Sequence, residues 1–221
     1  MIVLFGTEKG GVGKTTVSTN IAAMLAIAGR DVLLIDTDHQ GSAQDWATIR
    51  EANEQLPQIT TVNKFGQINQ TVQKLLDKYD DIIIDAGGRE STELRSAILV
   101  ADAWYIPTKA SEFDVWSVMK MGTLMSEMRT FRPNLLPKLL VSRASTHPAA
   151  DDHAVVKDCV KDMDCLSVSE AMLCERSAYR KAASRGMSVL ELEKRDKDVK
   201  AINEIKKLYM EIVNDAASAH E

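Results

Sequence analysis

Lys9-Gly10-Gly11-Val12-Gly13-Lys14-Thr15-Thr16 decides the fold through what lies on either side of it. Before it runs Ile2-Val3-Leu4-Phe5, the pattern of a buried strand, and after it residues 17–28 read as a helix rich in Ala, Leu and Ile. Strand, glycine loop and helix in that order are the setting of a phosphate-binding P-loop. Gly10, Gly11 and Gly13 let the chain curl tightly around Val12, so that several backbone N–H groups face phosphate oxygens. The helix that begins near Lys14 adds its positive dipole end. Lys14 is expected on the β- and γ-phosphates and the Thr15 hydroxyl on Mg²⁺, with Thr16 closing the binding loop. The ligand these residues predict is a nucleoside triphosphate with Mg²⁺.

Two further segments extend the site. Val32-Leu33-Leu34-Ile35-Asp36-Thr37-Asp38-His39-Gln40 is an apolar strand ending in two spaced carboxylates. Parallel α/β sheets bind ligands at the carboxyl ends of their strands, which would put Asp36 and Asp38 beside the P-loop. The competing reading is that such aspartates cap the following helix. Tyr79-Asp80-Asp81-Ile82-Ile83-Ile84-Asp85 is a Walker B pattern, with Asp85 placed to hold Mg²⁺ through water.

The chain of 221 residues is 45% hydrophobic, 27% charged and 5% aromatic, which suits one soluble α/β domain, residues 1–221, with an aliphatic core. No apolar run approaches the ~20 residues of a membrane span, and no signal-peptide pattern opens the chain, so a cytoplasmic protein is expected. Cys159, Cys165 and Cys174 lack metal-ligand spacing and read as reduced thiols. Strand patterns at 2–5, 31–35, 59–62, 81–84, 103–107 and 138–141 alternate with helical ones near 14–28, 42–55, 67–78, 90–101, 111–130 and 151–162. That alternation predicts a P-loop NTPase fold, a mostly parallel central sheet flanked by helices on both faces. After Val168 the pattern reads as helices near 176–185 and 196–214, with little strand signal.

The early lysine is unusual, because an ordinary P-loop needs no cation at position 9. Lys-Gly-Gly-x-Gly-Lys-Thr-Thr resembles the deviant Walker A motif of the ParA/MinD family of positioning ATPases, and small plasmid-partition proteins of the ParA type in particular. The resemblance covers roughly residues 1 to 145 by motif. It implies that Lys9 crosses a dimer interface to the partner's nucleotide, that Asp38 orients the attacking water, and that Asp36 supports the Mg²⁺ shell. His39 stands where the family's Asp-x-Asp-Pro-Gln motif has proline. Ala86-Gly87-Gly88-Arg89 looks like the switch that senses γ-phosphate, and Ser142 sits where relatives place a residue near the adenine. Ala101-Asp102-Ala103-Trp104-Tyr105-Ile106-Pro107-Thr108 is similar to a family strand. Trp46, Trp104 and Trp116 are expected in packing.

By that resemblance the chain is an ATPase whose slow hydrolysis a partner protein stimulates. It dimerises with ATP, binds DNA nonspecifically on the nucleoid, and partitions a plasmid or chromosome with a ParB-like centromere-binding adaptor. Related outcomes are nucleoid-based positioning of a carboxysome or chemotaxis cluster, or a MinD-like membrane ATPase. A P-loop kinase or metabolic ATPase would need acceptor-binding residues in place of a dimer face. Net charge is −5, so DNA contact requires a local patch, expected at Arg176, Arg180, Lys181 and Arg185. Ile202, Ile205, Leu208, Tyr209 and Ile212 recur at helical spacing, a stripe expected to dock on the core. The following residues lack Lys and Arg, unlike a basic membrane-binding tail, so no membrane contact is expected.

Overall fold

The computed structural model describes residues 1–87, 92–110, 115–147 and 149–218, with backbone alone over 115–121. Its centre is β1 (Ile2–Gly6), all of whose residues are buried. Successive side chains of a strand face opposite ways. Val3 and Phe5 enter one core while Ile2 and Leu4 enter the other, so the apolar run predicted for a buried parallel strand feeds two layers at once.

The other strands are β2 (Val32–Asp36), β3 (Thr60–Asn63), β4 (Asp81–Ala86), β5 (Ala103–Thr108), β6 (Lys138–Ala144) and β7 (Ser167–Cys174). They form a sheet in the order β3-β2-β4-β1-β5-β6-β7. Each neighbouring pair is parallel. The helices are α1 (Lys14–Ile27), α2 (Ser42–Glu51), α3 (Asn69–Leu75), α4 (Thr92–Ile98), α5 (Val115–Met128), α6 (Asp152–Val160), α7 (Ser177–Ala183) and α8 (Val199–Ser218). Side chains of α1, α2, α7 and α8 fill the core on one face. Those of α3, α4, α5 and α6 fill the other. The chain builds β2 to β4 on one side of β1 and then crosses to β5 on the other. That reversal opens a crevice at the carboxyl ends of the strands, where ligands of such sheets bind.

β7 departs from the sequence expectation, which had little strand beyond Val168. Its stretch Ser167-Val168-Ser169-Glu170-Ala171-Met172-Leu173-Cys174 is poor in β-branched residues, and Glu170 is exposed. As an edge strand it is held by β6, with register shifts after Leu139 and Val141, and by α8 lying across it. Tertiary pairing overrides weak propensity there. The stripe on α8 docks as expected, with Ile202, Ile205, Leu208 and Ile212 buried. Trp46 and Trp104 are buried too, their indole N–H groups donating to the carbonyls of Met187 and Gly6. The side chain of Trp116 lies outside the described residues, as do Gly88 and Arg89.

One clamp ties α2 to the segment after α7. Arg50, 2% exposed, donates to both Glu191 oxygens at 2.9 and 2.8 Å and to the Gly186 carbonyl at 3.0 Å. Gly186 has φ +64°, and an added Cβ would lie 2.4 Å from the Arg50 backbone nitrogen, so only glycine allows this approach. Arg50→Ala strands the Glu191 carboxylate and is expected to lower unfolding free energy by about 3–5 kcal/mol in urea titrations, with Arg50→Met/Glu191→Leu recovering most of the loss.

Candidate nucleotide-binding site

The loop between β1 and α1 turns on Gly11 and Gly13, at φ +71° and +91°. Gly13 caps α1 without any side-chain hydrogen bond, and the first turn carries no acid. The helix end therefore presents its own N–H groups and dipole to an anion. Lys14, 7% exposed, folds back so that Nζ donates to the Lys9 carbonyl at 3.1 Å. Its ammonium thus lies across the loop. Lys9 itself is half-buried, its N–H donating to Thr7 Oγ1 at 3.4 Å.

Behind the loop, β6 supplies two braces. Ser142 is 2% exposed and donates its hydroxyl to the Val12 carbonyl, with the Thr108 carbonyl 3.3 Å away. Arg143 donates to the Gly11 carbonyl at 3.0 Å and pairs with Glu175 at 3.0 Å. Its φ of +53° is one a non-glycine residue adopts only under constraint, at the irregular stretch of the β6–β7 pairing. Ser142 does line the cavity, but its hydroxyl holds the loop, which makes it a brace for the phosphate end. The resemblance places the Ser142-Arg143 pair near the adenine, and in this structure the Arg143 guanidinium bonds the glycine loop.

The carboxylates meet at the same edge. Asp85 stands opposite Phe5 in one register and opposite Asp36 in the other. Thr15 Oγ1 donates to Asp85 Oδ2 at 2.6 Å. Burial pushes the Asp85 carboxyl up to about 7, Asp36 nearby adds to the rise, and the Thr15 bond and Lys14 oppose it. Asp85 Oδ1 is buried with no hydrogen-bond partner in the structure. A buried hard oxygen with spare lone pairs beside a P-loop hydroxyl fits Mg²⁺, which takes one or two protein oxygens and completes its shell with phosphate and water. The described residues contain no cluster of three His, Cys, Asp or Glu that could hold a metal ion.

Asp36 is fully buried, and burial raises its carboxyl above the usual range. Oδ1 accepts the Asp38 N–H at 2.9 Å, and Oδ2 accepts those of Ala43 and Gln44 at 2.9 and 3.3 Å. It thus caps α2, the competing reading of the sequence, and braces the Asp38 backbone. Any support it lends a cation passes through those groups. Asp38 faces the cavity and lies against Gly87, where an added Cβ would stand 2.0 Å from Asp38 Oδ2. Of the predicted switch, Gly87 therefore gives clearance for Asp38.

These parts line a cavity of about 470 Å³ that runs from Gly10 through Val17 past Asp38 to Leu173, Cys174, Arg176 and Tyr179. The end formed by β7 and α7 was missed in sequence because β7 itself was missed. The basic residues expected on DNA divide. Arg176 is 16% exposed, bonded to Glu204 at 2.7 and 2.8 Å, and with Arg180 lines the cavity. The expectation of one open Arg176–Arg180 face gives way to this arrangement. Lys181, Arg185 and Arg195 instead gather on one carboxylate, Asp196, at 2.8, 3.0 and 3.7 Å.

Residues 3–189 match the model of the CobQ/CobB/MinD/ParA nucleotide-binding domain. The chain is 27% identical over 211 residues to the maintenance of carboxysome distribution protein A of Halothiobacillus neapolitanus, covering 93% of each chain. It is 24% identical over 178 residues to the sporulation initiation inhibitor protein Soj of Bacillus subtilis, covering 63% of this chain and 69% of that one. Among solved structures, Cyanothece McdA superposes with TM-score 0.75 in its apo form, at 17% identity over 96% of this chain and 98% of that one. An ATP complex of a variant of Cyanothece McdA superposes with TM-score 0.70 at 17% identity, over 94% and 96%.

Asp85→Asn keeps the Thr15 bond while removing a buried charge, and is expected to stabilise the Mg²⁺-free protein by about 1–3 kcal/mol at pH 8. The raised pKa fixes the sign: the folded chain holds this proton more tightly, so its wild-type contribution falls between the ordinary 3.8 and about 7. The variant should lack that slope in urea titrations, and Mg²⁺ should no longer strengthen its nucleotide binding.

Proposed function

This chain belongs to the CobQ/CobB/MinD/ParA nucleotide-binding family, and within it we propose an ATP-dependent, dimerising ParA-type ATPase that grips DNA nonspecifically and partitions a plasmid or chromosome with an adaptor protein. One observation carries the reading: two lysines on one glycine loop. Lys14 already lies inside the loop, bonded to the Lys9 carbonyl, and supplies the cation that one nucleotide's β- and γ-phosphates require. A second cation at Lys9 finds its use on the phosphates of a partner subunit's ATP, as trans-acting cations do in other NTPases.

In this reading Gly10, Gly11, Val12, Gly13, Lys14, Thr15 and Thr16 bind the phosphates, with Ser142 holding the loop in shape. Thr15 and Asp85 would hold Mg²⁺, with Asp36 behind them, and the ion when bound neutralises charge across the β- and γ-phosphate oxygens. Asp38 directs the attacking water, and Lys14 and Lys9 stabilise the charge that develops on the phosphoryl oxygens. ATP favours the closed dimer and hydrolysis releases it, so the nucleotide supplies the difference in affinity that switches DNA binding. An adaptor of the ParB-like kind sets the rate of the slow step. Lys9→Ala is expected to keep ATP affinity within about twofold and to lose ATP-induced dimerisation, as read by light scattering. A Lys9→Ala chain that still dimerises contradicts the assignment.

Lys181, Arg185 and Arg195 share the one carboxylate of Asp196, and Arg180 of α7 is 74% exposed and pairs with Glu175 at 3.5 Å. This supports phosphate contact without base reading, in a nucleoid-associated cytoplasmic protein. No described helix is long and apolar enough to cross a membrane, and the apolar stripe of α8 is packed in the core. A second reading, positioning of a protein cargo on the nucleoid, is supported by the match to a carboxysome distribution protein along 93% of this chain. It uses the same switch with a different adaptor. DNA affinity should require ATP, ignore base sequence and fall steeply with salt. Combined Lys181→Ala and Arg185→Ala should flatten the log–log salt slope by about 0.9 per lost contact, leaving ATP affinity unchanged. Absence of ATP-dependent DNA binding at low salt contradicts the nucleoid reading.

A further inference from the structure

Asp38 begins a four-residue turn closed by the Gly41 N–H donating to the Asp38 carbonyl at 2.9 Å. His39 and Gln40 are its central residues, and the Gln40 N–H donates to Asp38 Oδ1 at 3.0 Å. The orientation of the Asp38 carboxylate therefore depends on the backbone of His39. At the first central position of such a turn, proline fixes φ near the required value. Histidine does not, so the turn needs its restraint from elsewhere.

The neighbouring strand supplies it. β2 and β3 leave the sheet side by side, Asp36 paired with Asn63, and the Lys64 N–H extends the ladder to the Asp36 carbonyl at 3.0 Å. Phe65 comes next, followed by Gly66 at φ +75°, whose N–H donates to Glu93 Oε1 of α4 at 2.6 Å. Phe65 is thus held on both sides, by the sheet and by α4. Its ring lies parallel to that of His39, centroids 4.2 Å apart and planes 10° apart. His39 is exposed and Phe65 is 41% exposed, so neither ring serves core packing.

We propose that the His39–Phe65 stack is a positioning element for hydrolysis, holding the turn that aims the Asp38 carboxylate at the attacking water in the place of a proline-fixed backbone. His39 touches no reacting atom. It acts through the Asp38 backbone and the Gln40 N–H. The inference rests on the role proposed above for Asp38. An aromatic pair contributes about 0.5–1.5 kcal/mol beyond its area burial, enough to restrain a surface turn.

The test measures turnover at saturating ATP, the dissociation constant of a fluorescent ATP analogue, and ATP-induced dimerisation. His39→Ala and Phe65→Ala should each lower turnover about three- to tenfold, with analogue affinity and dimerisation retained. The double variant should be no slower than either single one, because both remove the same contact. His39→Pro should recover turnover, and His39→Phe should keep it by preserving the stack. Wild-type turnover in both alanine variants overturns the proposal, as does a double variant whose losses multiply. Loss of dimerisation in His39→Ala places the ring in subunit contact and also overturns it. Asp38→Ala separates the two levels: if that variant hydrolyses ATP normally, the role of Asp38 itself is wrong.

Discussion

The hydrogen bond from Thr15 to Asp85 joins the start of α1 to the end of β4, and the geometry of the whole site depends on it. A phosphate-binding loop must leave its N–H groups unpaired by protein, so it cannot hold its own shape through backbone bonds. Support has to come from its neighbours. β4 provides Asp85, β6 provides Ser142 and Arg143, and Lys14 bonds back to Lys9. The price is a carboxyl buried well above its ordinary pKa with one oxygen unmatched. Such a group is unfavourable in the protein alone and favourable beside a cation, so the same feature that costs stability prepares the site for its ligand.

A second set of constraints places Asp38. Asp36 fixes its N–H, Gly87 makes room for its side chain, and the turn to Gly41 sets its direction. α2 then carries that turn to the Arg50–Glu191 clamp, and Asn20 of α1 accepts the Val189 N–H at 2.9 Å. The segment between α7 and α8 is thereby bonded to both helices that follow nucleotide-site loops.

Most of this was legible where long apolar runs end in functional residues. Ile2 to Phe5, Val32 to Asp36 and Ile82 to Asp85 carry both a strand signal and a chemical one, and each lies where the sheet placed it. β7 was not legible, because a polar edge strand takes its structure from β6 and α8. With it went the far wall of the cavity at Leu173 to Tyr179. Asp36 shows a different limit: the spacing of two aspartates cannot reveal which one is taken up by the first amides of α2. Charge pattern alone likewise counted Arg176 as open surface, whereas Glu204, distant in sequence, holds it.

The family and the fold are settled by the residues 3–189 match and the parallel sheet, and the proposal adds that catalysis is completed by a second copy of the chain. The most direct measurement is ATP turnover per subunit as a function of protein concentration. A site completed in trans by Lys9 predicts specific activity that rises with concentration and levels off once ATP-bound chains are paired. Specific activity that stays constant down to concentrations where light scattering finds only monomers would contradict it.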